Sequence, residues 1–387
     1  MSYGELLDDL SDRGVLTERW RPAFEKAPRQ RFVPQQIWDQ RDGRWRKIDR
    51  YQHPSRWYPL VHSDKVVVTQ LDDGRTGGAG DVTSSGSQPT IVAAQLDLLS
   101  LRPGMTVLEI GPGWTTALLC EMTGDHNVVS LEINQQLADT HRELLAAQGY
   151  HPEIICRDGL YGAPGRAPFD RILVNCAIRS FPWAWAQQAK AGGLIVVPFR
   201  TEFARCGLIA LTVAPDGNSA GGTFRTPAQF MWLQGHRPGG QALAIDESEA
   251  PRTSTAAHDP MLIAENHGAQ AYVALRLPLL RMQHRWRKES FEQGVADRIH
   301  LDDGARSRAV VFCRPPYTVH QWGPRNLWGE VEGQLDRWAA NSQPTFQDLG
   351  LVVDQDRLIA VGRRDTDDRW TLGDSSPVQE ADTSQTT

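Results

Sequence analysis

The run Val-Leu-Glu-Ile-Gly-Pro-Gly-Trp sets a carboxylate, Glu109, two positions before Gly111, with Gly113 just beyond, at the end of an apolar segment. Glycines at such a place let the backbone turn tightly and approach a ligand closely. A dinucleotide fingerprint needs a third glycine where Thr116 stands. An acid ahead of the glycines is the arrangement used for S-adenosylmethionine, whose amino-acid end is cationic and which has no pyrophosphate. The competing reading is a tight strand–helix turn without a ligand. Glu132 closes Val-Val-Ser-Leu-Glu, about 20 residues on, where a carboxylate can bridge ribose hydroxyls. Asp158-Gly159 follows the next apolar run. The aspartate there can accept an adenine amino group or close an Asx turn. Asn175, ending the fourth run, completes the expected cofactor-binding set.

The elements that must position these residues follow from the hydrophobic pattern. Apolar runs TVLEI, VVSLEI, EIIC, RILVNC and LIVVPF alternate with helical segments through ALLCEM, QQLADTHRELLAAQ and WAWAQQAKA. Fully apolar strands separated by amphipathic helices predict a parallel sheet covered on both faces, an α/β fold. Ahead of it, residues 1–40 read as helices, the second running from Arg19 into FVPQQIW. DGRWRKIDRY and KVVVTQLDDG read as short strands, and RTGGAGD as a loop. Pro89 suits the first turn of a helix through IVAAQLDLLSL. AQFMWLQ reads as a further strand. The expected organisation is an N-terminal helical and substrate-side segment over 1–86 and a cofactor-binding core over 87–236. A polar linker over 237–260, an accessory α+β domain over 261–372 and a disordered tail over 373–387 complete it. Leu327, Trp328, Val331, Leu335 and Trp338 form an apolar helical stripe that needs a partner surface.

Composition bounds the function. The 387 residues carry a net charge of −6, which argues against nucleic acid as a partner. No apolar run reaches the ~18 residues of a membrane span, and the acidic start MSYGELLDDL is unlike a secretory signal. The five cysteines, at 120, 156, 176, 206 and 313, show no Cys-x-x-Cys spacing. No disulfide framework or zinc site is expected, and the cytoplasm is the expected compartment. Asn175-Cys176-Ala177 replaces the Asp/Asn-Pro-Pro-Tyr/Phe of amino-methyltransferases acting on nucleic acid. Pro315-Pro316-Tyr317 reads as a loop, and His258-Asp259-Pro260 lacks a nucleophile elbow. A non-catalytic binding protein on the same fold is the rival from another class.

The block DGLYGAPGRAPFDRILVNCAIRSFPWAWAQQAKAGGLIVVP, with APRQRFVP and SGSQPTIVAAQLDLL before it, resembles protein-L-isoaspartate O-methyltransferases over roughly residues 5–235. The resemblance implies a class I methyltransferase fold, a Rossmann-like mostly parallel sheet, and methyl transfer from S-adenosylmethionine to a carboxylate. By motif it gives Ser87 the place beside the transferred methyl, with Ser84 and Ser85 as neighbours. It gives Glu109, Gly111 and Gly113 the methionine end, Glu132 the ribose, and Asp158 with Gly159 the adenine. The sequence departs from the family pattern at Ser85, Gly86 and Thr115, and Asn175-Cys176 stands where small residues are usual. Residues 237–387 have no counterpart in the repair enzymes. The longer architecture resembles actinobacterial methyltransferases of ribosomal-peptide maturation (graspetide, lanthipeptide and lasso types). That implies an aspartyl carboxylate of a modified peptide as acceptor, its ester then cyclising to aspartimide or isoaspartate. The alternative acceptor is isoaspartate in proteins at large.

A carboxylate is already a nucleophile at neutral pH and sulfonium brings its own leaving group. The demands on the chain are therefore alignment and exclusion of water. A hydroxyl such as Ser87 can orient the acceptor by a hydrogen bond; its other common use is as a helix cap. Residues 19–56 carry eleven basic and four acidic residues, a local +7. That stretch is either a solvated face with ion pairs or a rim attracting an acidic peptide. Trp45 and Trp57 lie in it and are candidates either for core or for packing on a peptide ring.

Overall fold

The computed structural model describes residues 2–239, 250–285, 297–362 and 368–373. These form two compact units, and the chain passes between them more than once. Of the described residues, one holds those within 2–176, 184–197 and 212–217; the other holds those within 177–183, 198–211 and from 218 to 373.

The first unit opens with two helices, α1 (Tyr3–Asp12) and α2 (Arg21–Lys26). Ser2 and Glu5 form a capping box on α1, which buries Leu6, Leu7 and Leu10. The hairpin β1 (Gln36–Arg41) and β2 (Arg44–Asp49) follows, then α3 (Pro54–Val61), β3 (Val67–Leu71) and β4 (Val82–Gly86). The strands form an antiparallel sheet in the order β2-β1-β3-β4. The helix expected to continue into FVPQQIW ends by Lys26, and Gln36 to Trp38 are strand instead. Pro28 and Pro34 interrupt helical hydrogen bonding, and Ile37 then pairs with Ile48 across the hairpin. Both isoleucines are buried with Val33, Trp57, Val61 and Val67. Trp57 is fully buried, so it is core and not a platform for a ligand.

The covered sheet is as expected. β5 (Val107–Ile110), β6 (Val128–Glu132), β7 (Glu153–Cys156), β8 (Phe169–Val174) and β9 (Ala189–Phe199) lie in the order β7-β6-β5-β8-β9, all parallel. The helices α4 (Pro89–Leu98), α5 (Trp114–Thr123) and α6 (Gln135–Ala146) alternate with them. The order reverses between β5 and β8, and ligands of such sheets bind outside the strand ends at that switch point.

The second unit contains β10 (Gly207–Val213), β11 (Ala220–Thr226), β12 (Arg252–Thr255), β13 (Arg281–Arg285), β14 (Arg298–Asp302), β15 (Arg308–Phe312), β16 (Thr318–Trp322), β17 (Gly350–Val353), β18 (Leu358–Val361) and β19 (Arg369–Gly373). β12-β16-β15-β14-β13 form an antiparallel sheet. β11 pairs with β17, which pairs with β18 and then β19. Three expectations change here. The stretch taken as linker contains β12, paired with β16; residues 240–249 of it lie outside the described residues. The boundary drawn at 237–260 also separates β11 from β17, which are hydrogen-bonded neighbours. Gly221 and Gly222 weaken the local strand signal of β11, and pairing with a distant segment supplies what propensity does not. AQFMWLQ is not a strand: only Trp232 makes an isolated bridge, to Ala177. The apolar stripe of the helix Leu327–Ala340 is buried, and it packs on the helix His267–Arg276 and on β14 and β15 of its own unit. The polar tail from 374 lies outside the described residues. No helix among the described residues is long and apolar enough to cross a membrane.

Trp57 gives a direct check on the hairpin core. Trp57→Ala should cost about 3–5 kcal/mol of stability, seen as a lower urea midpoint, and leave S-adenosylhomocysteine affinity unchanged.

Candidate active site

Glu109 lies within β5 and is completely buried. Four donors converge on its carboxylate. Thr115 Oγ1 and Asn175 Nδ2 (3.0 Å) donate to one oxygen; Thr116 Oγ1 (2.6 Å) and Ser130 Oγ (2.7 Å) donate to the other. Burial holds the carboxyl's pKa above its ordinary value, and these hydrogen bonds offset only part of that rise. With its oxygens so engaged, Glu109 ties the glycine loop to the neighbouring strands from beneath. Thr115 and Thr116, which stand where glycines were sought, are donors in this network. Thr116 Oγ1 also accepts from the Gly113 N–H at 2.9 Å, fixing the first turn of α5.

Gly111 has φ +86°, where only glycine is unstrained, and a Cβ there would lie 3.4 Å from Asn175 Cβ and 3.7 Å from Cys176 Sγ. Asn175 Nδ2 donates to the Gly111 carbonyl at 2.8 Å. It thus closes the switch point between β5 and β8. Gln95, buried on α4, donates to the Val174 carbonyl at 3.1 Å and to Asn175 Oδ1 at 3.3 Å. Ser130 and Gln95 were not singled out in the sequence. Their signal is a lone polar residue inside an otherwise apolar segment, which a buried strand or helix tolerates only with partners.

Glu132 ends β6. Its Oε1 accepts the Asn134 N–H at 2.9 Å, while burial pushes its pKa up against the main-chain N–H groups of Asn134 and Ile133. Asp158 follows β7 and caps a single 3₁₀ turn, accepting the Leu160 N–H at 2.9 Å. The Asx-turn reading of Asp158 is therefore realised. Gly159 is buried: a Cβ there would sit 2.5 Å from Ile110 Cγ2, and its carbonyl accepts Trp185 Nε1 at 2.8 Å. Its place is set by close packing against Ile110 of β5.

Ser84 and Ser85 lie in β4, and Ser87 follows it. Ser84 Oγ accepts from Thr69 Oγ1 at 2.9 Å. The cap position of α4 is Gln88, not Ser87, and its side chain makes no capping bond. Asp64 takes over that task, accepting from Thr90 N at 2.8 Å and Thr90 Oγ1 at 2.6 Å. The basic rim is partly consumed. Arg21 pairs with Asp8 and Glu25, Lys26 with Glu121, and Arg41 and Arg56 share Asp39. Arg29 is buried, whereas Arg44, Arg46 and Lys47 are exposed. Trp45 is half-buried and donates to the Gly80 carbonyl at 2.9 Å.

Two measurements probe this site. Gly159→Ala should cost about 1–3 kcal/mol through overpacking, and less in an Ile110→Ala background, as a double-mutant cycle would read. His141 on α6 faces Gly113, and burial pushes its pKa down to about 4. The unfolded chain takes up that proton near the ordinary value of 6.5, so it binds more protons than the fold between those values. Stability therefore falls as pH drops from about 6.5 to about 4, and His141→Gln should reduce that fall in melting temperature.

The PCMT family model, Protein-L-isoaspartate(D-aspartate) O-methyltransferase, matches residues 46–210. A protein-L-isoaspartate O-methyltransferase of Gloeobacter violaceus is 30% identical over 234 residues, 60% of this chain and 97% of that protein. One of Ignicoccus hospitalis is 35% identical over 218 residues, 55% of this chain and 89% of that protein. One of Thermotoga maritima is 32% identical over 165 residues, and the chain spans about half its length (50%). A solved protein-L-isoaspartate O-methyltransferase structure superposes with a TM-score of 0.52 at 22% identity, over 91% of this chain and 96% of that one, a likeness of fold. With a match across nearly the whole Gloeobacter protein, this chain belongs to the protein-L-isoaspartate O-methyltransferase family, whose members use S-adenosylmethionine.

Proposed function

We propose that the chain methylates the free carboxylate of isoaspartyl residues in proteins and peptides, with S-adenosylmethionine as donor. The observation that carries this reading is the row of acids and glycines at the ends of β5, β6 and β7, inside the segment matched by the family. The residues fit such a ligand. Gly111 leaves a strip without a side chain beside Asn175, and Glu132 and Asp158 stand at the neighbouring strand ends. The Gly111–Gly113 loop would hold the methionine end, Glu132 the ribose hydroxyls, and Asp158 with Gly159 the adenine. The ligand supplies a methyl group on a sulfonium, which departs as a neutral thioether.

The chain's own work is positional. The acceptor is an anion at neutral pH, so no side chain has to remove a proton. Ser87, with Ser84 and Ser85 beside it, orients the acceptor oxygen, and the surrounding residues keep water from competing. The second reading takes an aspartyl residue of a ribosomally made peptide as acceptor, giving an ester that cyclises to aspartimide. The stretch beyond residue 210 does not separate the two readings: a solved protein-L-isoaspartate O-methyltransferase superposes over 91% of this chain, so the expectation that residues 237–387 have no counterpart in that family is corrected.

The test compares two peptides that differ only in Asp against isoaspartate, assayed with labelled donor. Methylation of the isoaspartyl peptide supports the proposal. Methylation of the aspartyl peptide alone favours the second reading. Binding of S-adenosylhomocysteine with no transfer to either makes the chain a binding protein. Ser87→Ala should lower kcat by about 100- to 1000-fold, the range for one lost orienting donor, with little change in S-adenosylhomocysteine Kd. Glu132→Ala should weaken that Kd about 10–100-fold, the worth of a hydrogen bond to a charged group.

A further inference from the structure

Arg29 is the largest buried charge of the first unit, with no exposed surface. Its guanidinium donates to five main-chain carbonyls. Nη1 reaches Val61 at 3.1 Å and Ser63 at 3.2 Å. Nη2 reaches Lys65 at 2.9 Å, Gly86 at 3.2 Å and Ser87 at 2.7 Å. Trp114, the first residue of α5, presents its ring 5.8 Å from the guanidinium carbon. Burial pushes the pKa down to about 10, so the group stays charged at neutral pH. The nearby Asp64 is engaged with Thr90 and Arg13.

The acceptors come from two segments. Three follow or end α3, and two are Gly86 and Ser87 at the end of β4. A lysine has one nitrogen and cannot span them, whereas the planar fork of an arginine can. A Cβ on Gly86 would lie 3.7 Å from Nη2, so the backbone rests close against the guanidinium. The carbonyl dipoles and the nearby Asp64 carboxylate offset part of the guanidinium's field, and the dry surroundings screen what remains only a little.

We propose that Arg29 is a positioning residue for the methyl acceptor. Through the Gly86 and Ser87 carbonyls it fixes the Ser84–Ser87 segment, and its buried charge gives that segment the positive potential that draws in a carboxylate. The proposal rests on the methyl-transfer reading above. It differs from a purely structural role in a readable way, because geometry and charge can be separated at this position. Arg29→Lys keeps the charge and loses the five-point grip; Arg29→Met loses both.

The experiment uses the full chain and both variants, with S-adenosylhomocysteine titration, kinetics on the isoaspartyl peptide, and amide hydrogen exchange. Both variants should keep the S-adenosylhomocysteine Kd within about twofold, and both should lose about tenfold or more in kcat as alignment is lost. The acceptor KM should rise about threefold or more in Arg29→Met relative to Arg29→Lys, with the difference shrinking in high salt. Exchange should accelerate locally at residues 63–66 and 84–90. Unchanged kcat and KM, a cofactor affinity that falls in step with kcat, or loss of fold in both variants would overturn the proposal. A wild-type chain inert on the peptide sinks the methyl-transfer reading, and the exchange arm then decides: without localised acceleration the positioning role fails as well.

Discussion

A carboxylate with no access to water is the constraint around which this site is organised. Glu109 sits in the middle of a parallel sheet, where an unpaired charge would cost several kcal/mol. The fold answers with four donors drawn from the start of α5, from β6 and from the residue after β8. Each donor comes from an element that also shapes the ligand side. Thr116 fixes Gly113, Asn175 holds the Gly111 carbonyl, and Ser130 lies two residues before Glu132. Satisfying one buried acid thus registers the glycine loop against three strands.

The same network reaches the Ser84–Ser87 segment, the proposed acceptor side, through α4. Gln95 grips Val174 and Asn175, while Asp64 and the main chain around Arg29 hold the opposite end of that helix and the segment before it. The glycine loop and Ser87 are therefore tied to one rigid element about two turns apart. For the proposed methyl transfer, which needs no base, such rigidity would be the catalytic resource, because misalignment of an in-line transfer is costly.

The remaining structure follows pairing rather than chain order. The antiparallel hairpin β1–β2 closes an apolar cluster around Trp57 and leaves Arg44, Arg46 and Lys47 exposed. In the second unit, β11 and β17 pair across more than a hundred residues of sequence. A polar stretch read as a linker contributes β12 to an antiparallel sheet. Each case shows a weak local signal completed by a distant partner, the usual way in which tertiary context overrides strand propensity.

By itself the sequence determined the parallel sheet, the helices between its strands, and which strand ends carry acids and glycines. Those features are local: an apolar run, a helical period and a residue at a strand end can be read within a window of a dozen positions. It also carried the family, because the motifs lie on that frame. Tertiary structure alone decided what the polar residues do. Glu109 became a buried organiser because Ser130 and Asn175 arrive from other strands, Gly159 is required by Ile110 across the sheet, and Asp64 rather than Ser87 caps α4. Arg29 looked like one charge in a basic run and proved to be the centre of five carbonyls. Hydrogen bonds between residues distant in sequence leave no periodic trace, so burial and partner are fixed only when the elements meet.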